Sequence, residues 1–154
     1  MNQTGLYGKY QQMQVKTADQ GTLILMLYDG AIVALKQAQK LLNTKPLNRE
    51  ALADHIVKAK DIIYELVASL DIEVGGEIAE ALLNLYSYFI WRVGKASIEQ
   101  DATYLEDVLK HLQDLQSAWT TIFQEARVQQ KQFPSSPSPS QQPVKDSGSS
   151  LIVA

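Results

Sequence analysis

The stretch TLILMLYDGAIVAL, residues 22–35, decides the fold because it has two readings. As β-structure it is two apolar runs joined by Asp29-Gly30, a favoured two-residue hairpin turn. A half-buried hairpin needs a polar residue at every second position, and Leu23–Tyr28 offers none. The pattern also runs unbroken into KQAQKLL (36–42), which is helix-prone. The helix reading prevails, with apolar residues at Leu23, Leu27, Ala31, Leu35, Ala38 and Leu42 in steps of three and four. Gly30 then lies inside the helix, where it costs ~1 kcal/mol relative to alanine. Its presence predicts a neighbouring backbone in close approach.

Working outward, Asp19 caps this helix, with Thr17 and Gln20 at capping-box spacing as the alternative. Asn48 caps a second helix after the Lys45-Pro46 break, with the stripe Leu52, Ile56, Ala59, Ile63, Leu66 and Leu70. The Gly75-Gly76 pair separates it from a third, whose buried positions are expected at Ile78, Leu82, Leu85 or Tyr86, Phe89 and Val93. Asp101 caps a fourth, carrying Leu105, Val108, Leu112, Leu115, Trp119, Ile122 and Ala126. Short connections between long helices imply an all-α, antiparallel up-down four-helix bundle over residues 19–132. Residues 1–18 hold scattered apolar groups without a regular stripe and read as a short N-terminal arm. Residues 133–154 are rich in Pro, Ser and Gln and read as a disordered C-terminal tail, since they bury too little to offset ordering. The tail ends in Leu151-Ile152-Val153-Ala154, an apolar tip that can dock in cis or be read by a second partner.

With 154 residues, 45% of them hydrophobic and 20% charged, the chain can bury a core without covalent staples. It has no cysteine, so disulfides and thiolate metal sites are excluded. A net charge of −3 with dispersed Lys and Arg argues against nucleic-acid binding. The polar start MNQTGLYGKYQQMQ is no secretory signal, and the six-residue run Leu23–Tyr28 is far below the ~20 residues that span a bilayer. A cytoplasmic protein without membrane insertion is expected.

Chemistry has few candidates. His55 and His111 fall on different helices, and no Glu-x-x-His or His-x-x-x-His pair accompanies them. Nucleophile-elbow and phosphate-cradling glycine motifs are missing. Glu77 and Glu80 fit the first turn of the third helix, where the helix dipole favours them. No enzyme activity, cofactor or metal is expected. The informative feature is surplus hydrophobicity. Leu23–Tyr28 covers the whole circumference of one helix, and LLNLYSYFIW (82–91) is a second dense run. Such helices need a further cover: the arm, a second subunit or a partner segment. Tyr86, Tyr88 and Trp91 suit an interface, since each ring buries area while its polar tip stays wet.

The motif Val15-x-Thr17-Ala18-x₄-Leu23-Ile24-x-Met26-Leu27-Tyr28-Asp29-Gly30-Ala31 resembles the opening signature of the FliS family of flagellar secretion chaperones, and Tyr10 matches that family's N-terminal tyrosine. Leu70-Asp71, Gly75-Gly76-Glu77-Ile78-Ala79 and Leu85-Tyr86-x-Tyr88 resemble its later motifs, with Arg92, Ala96, Asp101 and Trp119 also in place. Asp19-Gln20 departs from the family's Ser-Pro, and Ser97 from its asparagine. The resemblance implies a bundle that binds the C-terminal segment of flagellin, prevents premature polymerisation and aids delivery to a component of the type III export gate. It points to Tyr7, Tyr10 and Val15 in the arm, and Met26, Tyr28, Leu82, Tyr86 and Tyr88 as a groove, as client-binding residues. Each of the groove residues also suits the core. The competing class is a structural homodimer that covers its own apolar face.

Overall fold

The computed structural model describes residues 19–132, which form four helices. These are α1 (Gln20–Leu42), α2 (Arg49–Ala68), α3 (Ile72–Glu99) and α4 (Thr103–Gln132). The arm and tail assigned from sequence lie outside the described residues. Each helix packs against its neighbours in the chain, and α1 closes the ring on α4, giving the antiparallel bundle.

The helix starts follow their capping residues. The Asp19 carboxylate accepts from the Thr22 N–H at 2.8 Å, and the Asn48 side chain from the Ala51 N–H at 3.0 Å. Asp101 accepts from both the N–H and the hydroxyl of Thr103, at 2.9 and 2.7 Å. The third start differs from expectation. α3 begins at Ile72, capped by Asp71, which accepts from the Val74 N–H. The glycine pair therefore lies within α3. Gly76, at φ +57°, breaks the helical path there, a conformation that a Cβ would strain. Glu73 occupies the first turn, and Glu77 stands where the regular helix resumes.

The core holds most of the expected stripe: Leu27, Ala31, Leu35 and Ala38 from α1; Leu52, Ile56, Ala59, Ile63 and Leu66 from α2; Leu82, Tyr86, Phe89 and Val93 from α3; Leu105, Val108, Leu112 and Trp119 from α4. Leu85 is only partly covered, which resolves the Leu85-or-Tyr86 alternative toward Tyr86. Two expected core residues are outside. Ile78 is 53% exposed and Ile122 is 41% exposed, with Phe123 buried in the latter's stead. Ile78 follows the Gly76 break by only two residues, and Ala79, one position on, takes the buried place on the face of Leu82 and Tyr86. The Phe89 and His111 rings meet across the α3–α4 seam, with centroids 5.9 Å apart. Gly30 also departs from expectation: a Cβ there would meet the Ile62 Cδ1 atom at 3.1 Å, so the close neighbour is a side chain and not backbone.

Candidate functional site

The surplus apolar residues of α1 divide between two environments. Ile24, Leu27, Tyr28, Ala31, Ile32, Ala34, Leu35 and Ala38 face inward and are buried. Leu25 and Met26 are half-buried and floor an open groove of about 760 Å³ between α1 and α4. Thr22 and Asp29 complete the α1 wall; Gln113, Gln116, Ser117, Thr120 and Thr121 form the α4 wall. These α4 positions carry polar side chains, so the groove has an apolar floor on α1 and a polar wall on α4. Its upper edge is tied by Arg127, which donates to the Thr22 hydroxyl at 3.2 Å and lies 3.5 Å from the Asp19 carboxylate.

Of the residues singled out from sequence, Met26 lines the groove. Tyr28, Leu82 and Tyr86 are instead enclosed, at 0%, 7% and 3% exposure. The Tyr28 and Tyr86 hydroxyls lie 2.5 Å apart, and the Trp119 indole N–H donates to the Tyr28 oxygen at 3.1 Å. Three polar groups from α1, α3 and α4 thereby satisfy one another, which removes most of the cost of burying them. Burial raises both phenols above the usual tyrosine range, so they stay neutral. Tyr7, Tyr10 and Val15 lie outside the described residues.

Tyr88 belongs to a second surface, the outer face of α3. Its hydroxyl donates to Asp107 at 2.7 Å, a bond that raises its pKa. Its ring stacks on Trp91 with centroids 6.5 Å apart. Trp91 is 56% exposed, and the Lys95 ammonium lies 6.0 Å from its ring centre. Arg92 staples this face to α4: its guanidinium sits 4.9 Å from the Tyr104 ring and donates to the carbonyls of Tyr104 and Thr103. Exposed Val57 and Tyr64 add apolar surface on α2.

Sequence reasoning missed the α4 wall of the groove. The signal for it was the polar set Gln113, Gln116, Ser117 and Thr120 interleaved with the buried stripe of α4, which reads as an ordinary solvated face until α1 is placed beside it. Among the described residues no three His, Cys, Asp or Glu side chains group as a metal site would require. α1 has the length and apolarity of a membrane span, yet half of that window is buried against the other helices.

The fold and site thus define an all-α antiparallel bundle whose distinguishing feature is accessible apolar surface. Residues 1–126 match the family model described as flagellar protein FliS, and the chain belongs to that family. It is 40% identical over 119 residues to the flagellar secretion chaperone FliS of Salmonella typhimurium, covering 73% of this chain and 87% of the relative. It is 31% identical over 121 residues to the Bacillus subtilis protein of the same name, covering 79% of this chain and 88% of the relative. The Campylobacter jejuni counterpart is 28% identical over 125 residues, covering 80% and 95%.

Proposed function

We propose that the protein is a cytoplasmic flagellar export chaperone that holds the C-terminal segment of flagellin, keeps it from polymerising early and presents it to the export apparatus. Membership of a family whose relatives carry the name flagellar secretion chaperone supports the coarse role. The observation that carries the finer reading is the open α1–α4 groove with its Leu25 and Met26 floor. An amphipathic segment that has not yet found its partners in a filament needs an apolar surface to lie on, and a helix or extended strand of chain fits such a seam. Coupled ordering of the client moderates affinity, which suits a complex that must later release.

In this reading Met26 touches the client directly, and Tyr88 with Trp91 offers a second anchor on α3. Tyr28, Leu82 and Tyr86 act from within, by fixing the spacing of α1, α3 and α4 that sets the groove's width. The arm residues Tyr7, Tyr10 and Val15 lie over the groove when it is empty and yield to the client. The test is isothermal calorimetry of the full chain with a flagellin C-terminal peptide. A 1:1 complex that is abolished by truncating the client's C-terminus is the expected result. No heat and no complex at tens of micromolar would remove the reading.

A second reading, a homodimer that covers its own apolar face, is favoured by the exposed α3 residues Trp91 and Ile98. Light scattering that finds a permanent dimer without affinity for flagellin would select it.

A further inference from the structure

Asp29 is the one charged side chain that lines the α1–α4 groove. It is the only acidic residue of α1 and lies well past the first turn, beyond the favourable end of the helix dipole. Aspartate is a weak helix former at such a site, because its short carboxylate competes for backbone hydrogen bonds. The positions three and four residues away, where a cation would support it along the helix, hold Leu25, Met26, Ile32 and Val33. Across the groove, the amides of Gln113 and Gln116 are neutral. The two cations that flank the lining stretch of α4 in sequence are engaged elsewhere: Lys110 pairs with Asp114 at 3.1 Å, and Arg127 lies with Asp19 and Thr22. Among the described residues, no ion pair includes Asp29.

The α4 wall has a bias of its own. The Thr120 hydroxyl donates to the Gln116 carbonyl at 2.7 Å, and the Thr121 hydroxyl to the Ser117 carbonyl at 3.2 Å. Each hydroxyl proton is thereby committed, so toward a guest these two residues present only lone pairs. A carboxylate on one wall and acceptor oxygens on the other suit a side chain that is positively charged and donates several hydrogen bonds. An acidic guest meets repulsion there. Resting on the reading of this groove as the client site, we infer that Asp29 is a specificity-determining residue, which selects a segment carrying an arginine or lysine beside its apolar stripe. Asp29 follows Leu25 and Met26 by four and three residues, so the basic group sits roughly 5 Å along the axis from the apolar contact, at ~1.5 Å per residue. In a helical guest that is one turn, three or four residues from its apolar anchor. Asp29 is exposed at the groove's rim, where a charge acts on partner choice and association more than on total affinity and is weakened by salt.

The test is calorimetry of the full chain with a flagellin C-terminal peptide and with a set of its variants in which each Lys or Arg in turn is replaced by Glu. Asp29→Asn should weaken binding of the unchanged peptide about threefold in dilute salt, and Asp29→Lys about tenfold. The difference between Asp29→Asn and the parent chain should fade in roughly 0.5 M salt. One Glu-substituted peptide should bind the parent chain poorly and regain its affinity with Asp29→Lys. Unchanged affinity in both Asp29 variants overturns the inference, while the parent complex itself leaves the export reading standing. A loss that no Glu-substituted peptide restores also overturns it, because Asp29 would then shape the groove without meeting a cation. Tighter binding by Asp29→Lys would mean an acidic group at this place in the guest, with the same consequence. If the parent chain binds no peptide, the export reading fails and the inference falls with it.

Discussion

Helix α1 makes two seams, and they differ. Against α2 it is closed: Gly30 stands so near that a Cβ would meet Ile62 Cδ1, and Ala31, Ala34, Ala38 and Ala59 are all fully or almost fully buried. Small residues let two helices approach until no guest can enter. Against α4 the same helix is held at its beginning, where Gly21 lies against the Phe123 ring and Arg127 bridges to Thr22, and again on its inner face by the Trp119–Tyr28 bond, while its outer face stays open as the groove. One helix thus serves as structural core on one side and accessible surface on the other. The polar hub of Tyr28, Tyr86 and Trp119 stands between, tying α1 to α3 and α4 so that the open seam keeps its width.

The largest effect is expected at that hub. Tyr28→Phe deprives the Trp119 indole N–H and the Tyr86 hydroxyl of their partner at once, and should cost about 3 kcal/mol by urea unfolding. Tyr86→Phe leaves the Trp119–Tyr28 bond intact and should cost about 1 kcal/mol. Equal losses would mean that Tyr28 is not the centre of the network. The groove comes next. Met26→Asp places a charge on its floor and should weaken binding of the flagellin segment by about tenfold, while changing stability by no more than ~0.5 kcal/mol. Trp91→Ala probes the α3 face in the same assay. If Trp91→Ala abolishes binding and Met26→Asp does not, the client surface is α3 and the groove reading fails.

The pinned start of α1 separates from its closed flank by a smaller margin. A Cβ at Gly21 would come within 2.9 to 3.1 Å of three Phe123 ring atoms, so Gly21→Ala must push the ring and should cost about 1 kcal/mol in thermal unfolding. Gly30→Ala presses on the Cδ1 atom of the fully buried Ile62, which must shift by a few tenths of an ångström, and this offsets the ~1 kcal/mol of helix propensity gained, so near-neutrality is expected.

The sequence carried the bundle well because its signals are local. Caps at Asp19, Asn48 and Asp101 and stripes at helical spacing depend on neighbours a few residues away, and each appears in the structure. What failed depended on a partner helix. Ile78 and Ala79 both fall within a step of three or four of Leu82, and only the packed bundle shows that Ala79 takes the inner place. Ile122 lost its burial to Phe123, one position away, a choice made by the ring's fit under Gly21. Tyr28 and Tyr86 suit groove and core equally in sequence, because a phenol at an interface and a phenol in the core look alike there. Only the juxtaposition with Trp119 shows that their hydroxyls are satisfied within the bundle.

The smallest predicted effect concerns the tie that closes the groove at its upper edge. The Thr22 backbone N–H holds the Asp19 carboxyl below the ordinary aspartate value of 3.8, against the opposing effect of burial, and the Thr22 hydroxyl and the Arg127 guanidinium add smaller lowering effects. A carboxyl whose folded pKa is depressed stabilises the fold above its unfolded value, and that contribution is lost as pH falls through the folded value. With the side chain 59% exposed, solvent screening limits the pH-dependent part to about a few tenths of a kcal/mol. Asp19→Asn keeps an acceptor for the Thr22 N–H but removes the charge. Its stability deficit relative to the parent should therefore be present at pH 6 and vanish below the depressed Asp19 value. Asp19→Ala, which also loses the cap, should remain about 1 kcal/mol less stable at pH 6. A deficit for Asp19→Asn that persists unchanged to pH 2 would show that the Arg127 tie contributes nothing through charge, leaving Gly21 against Phe123 as the contact that pins the open seam shut at its end.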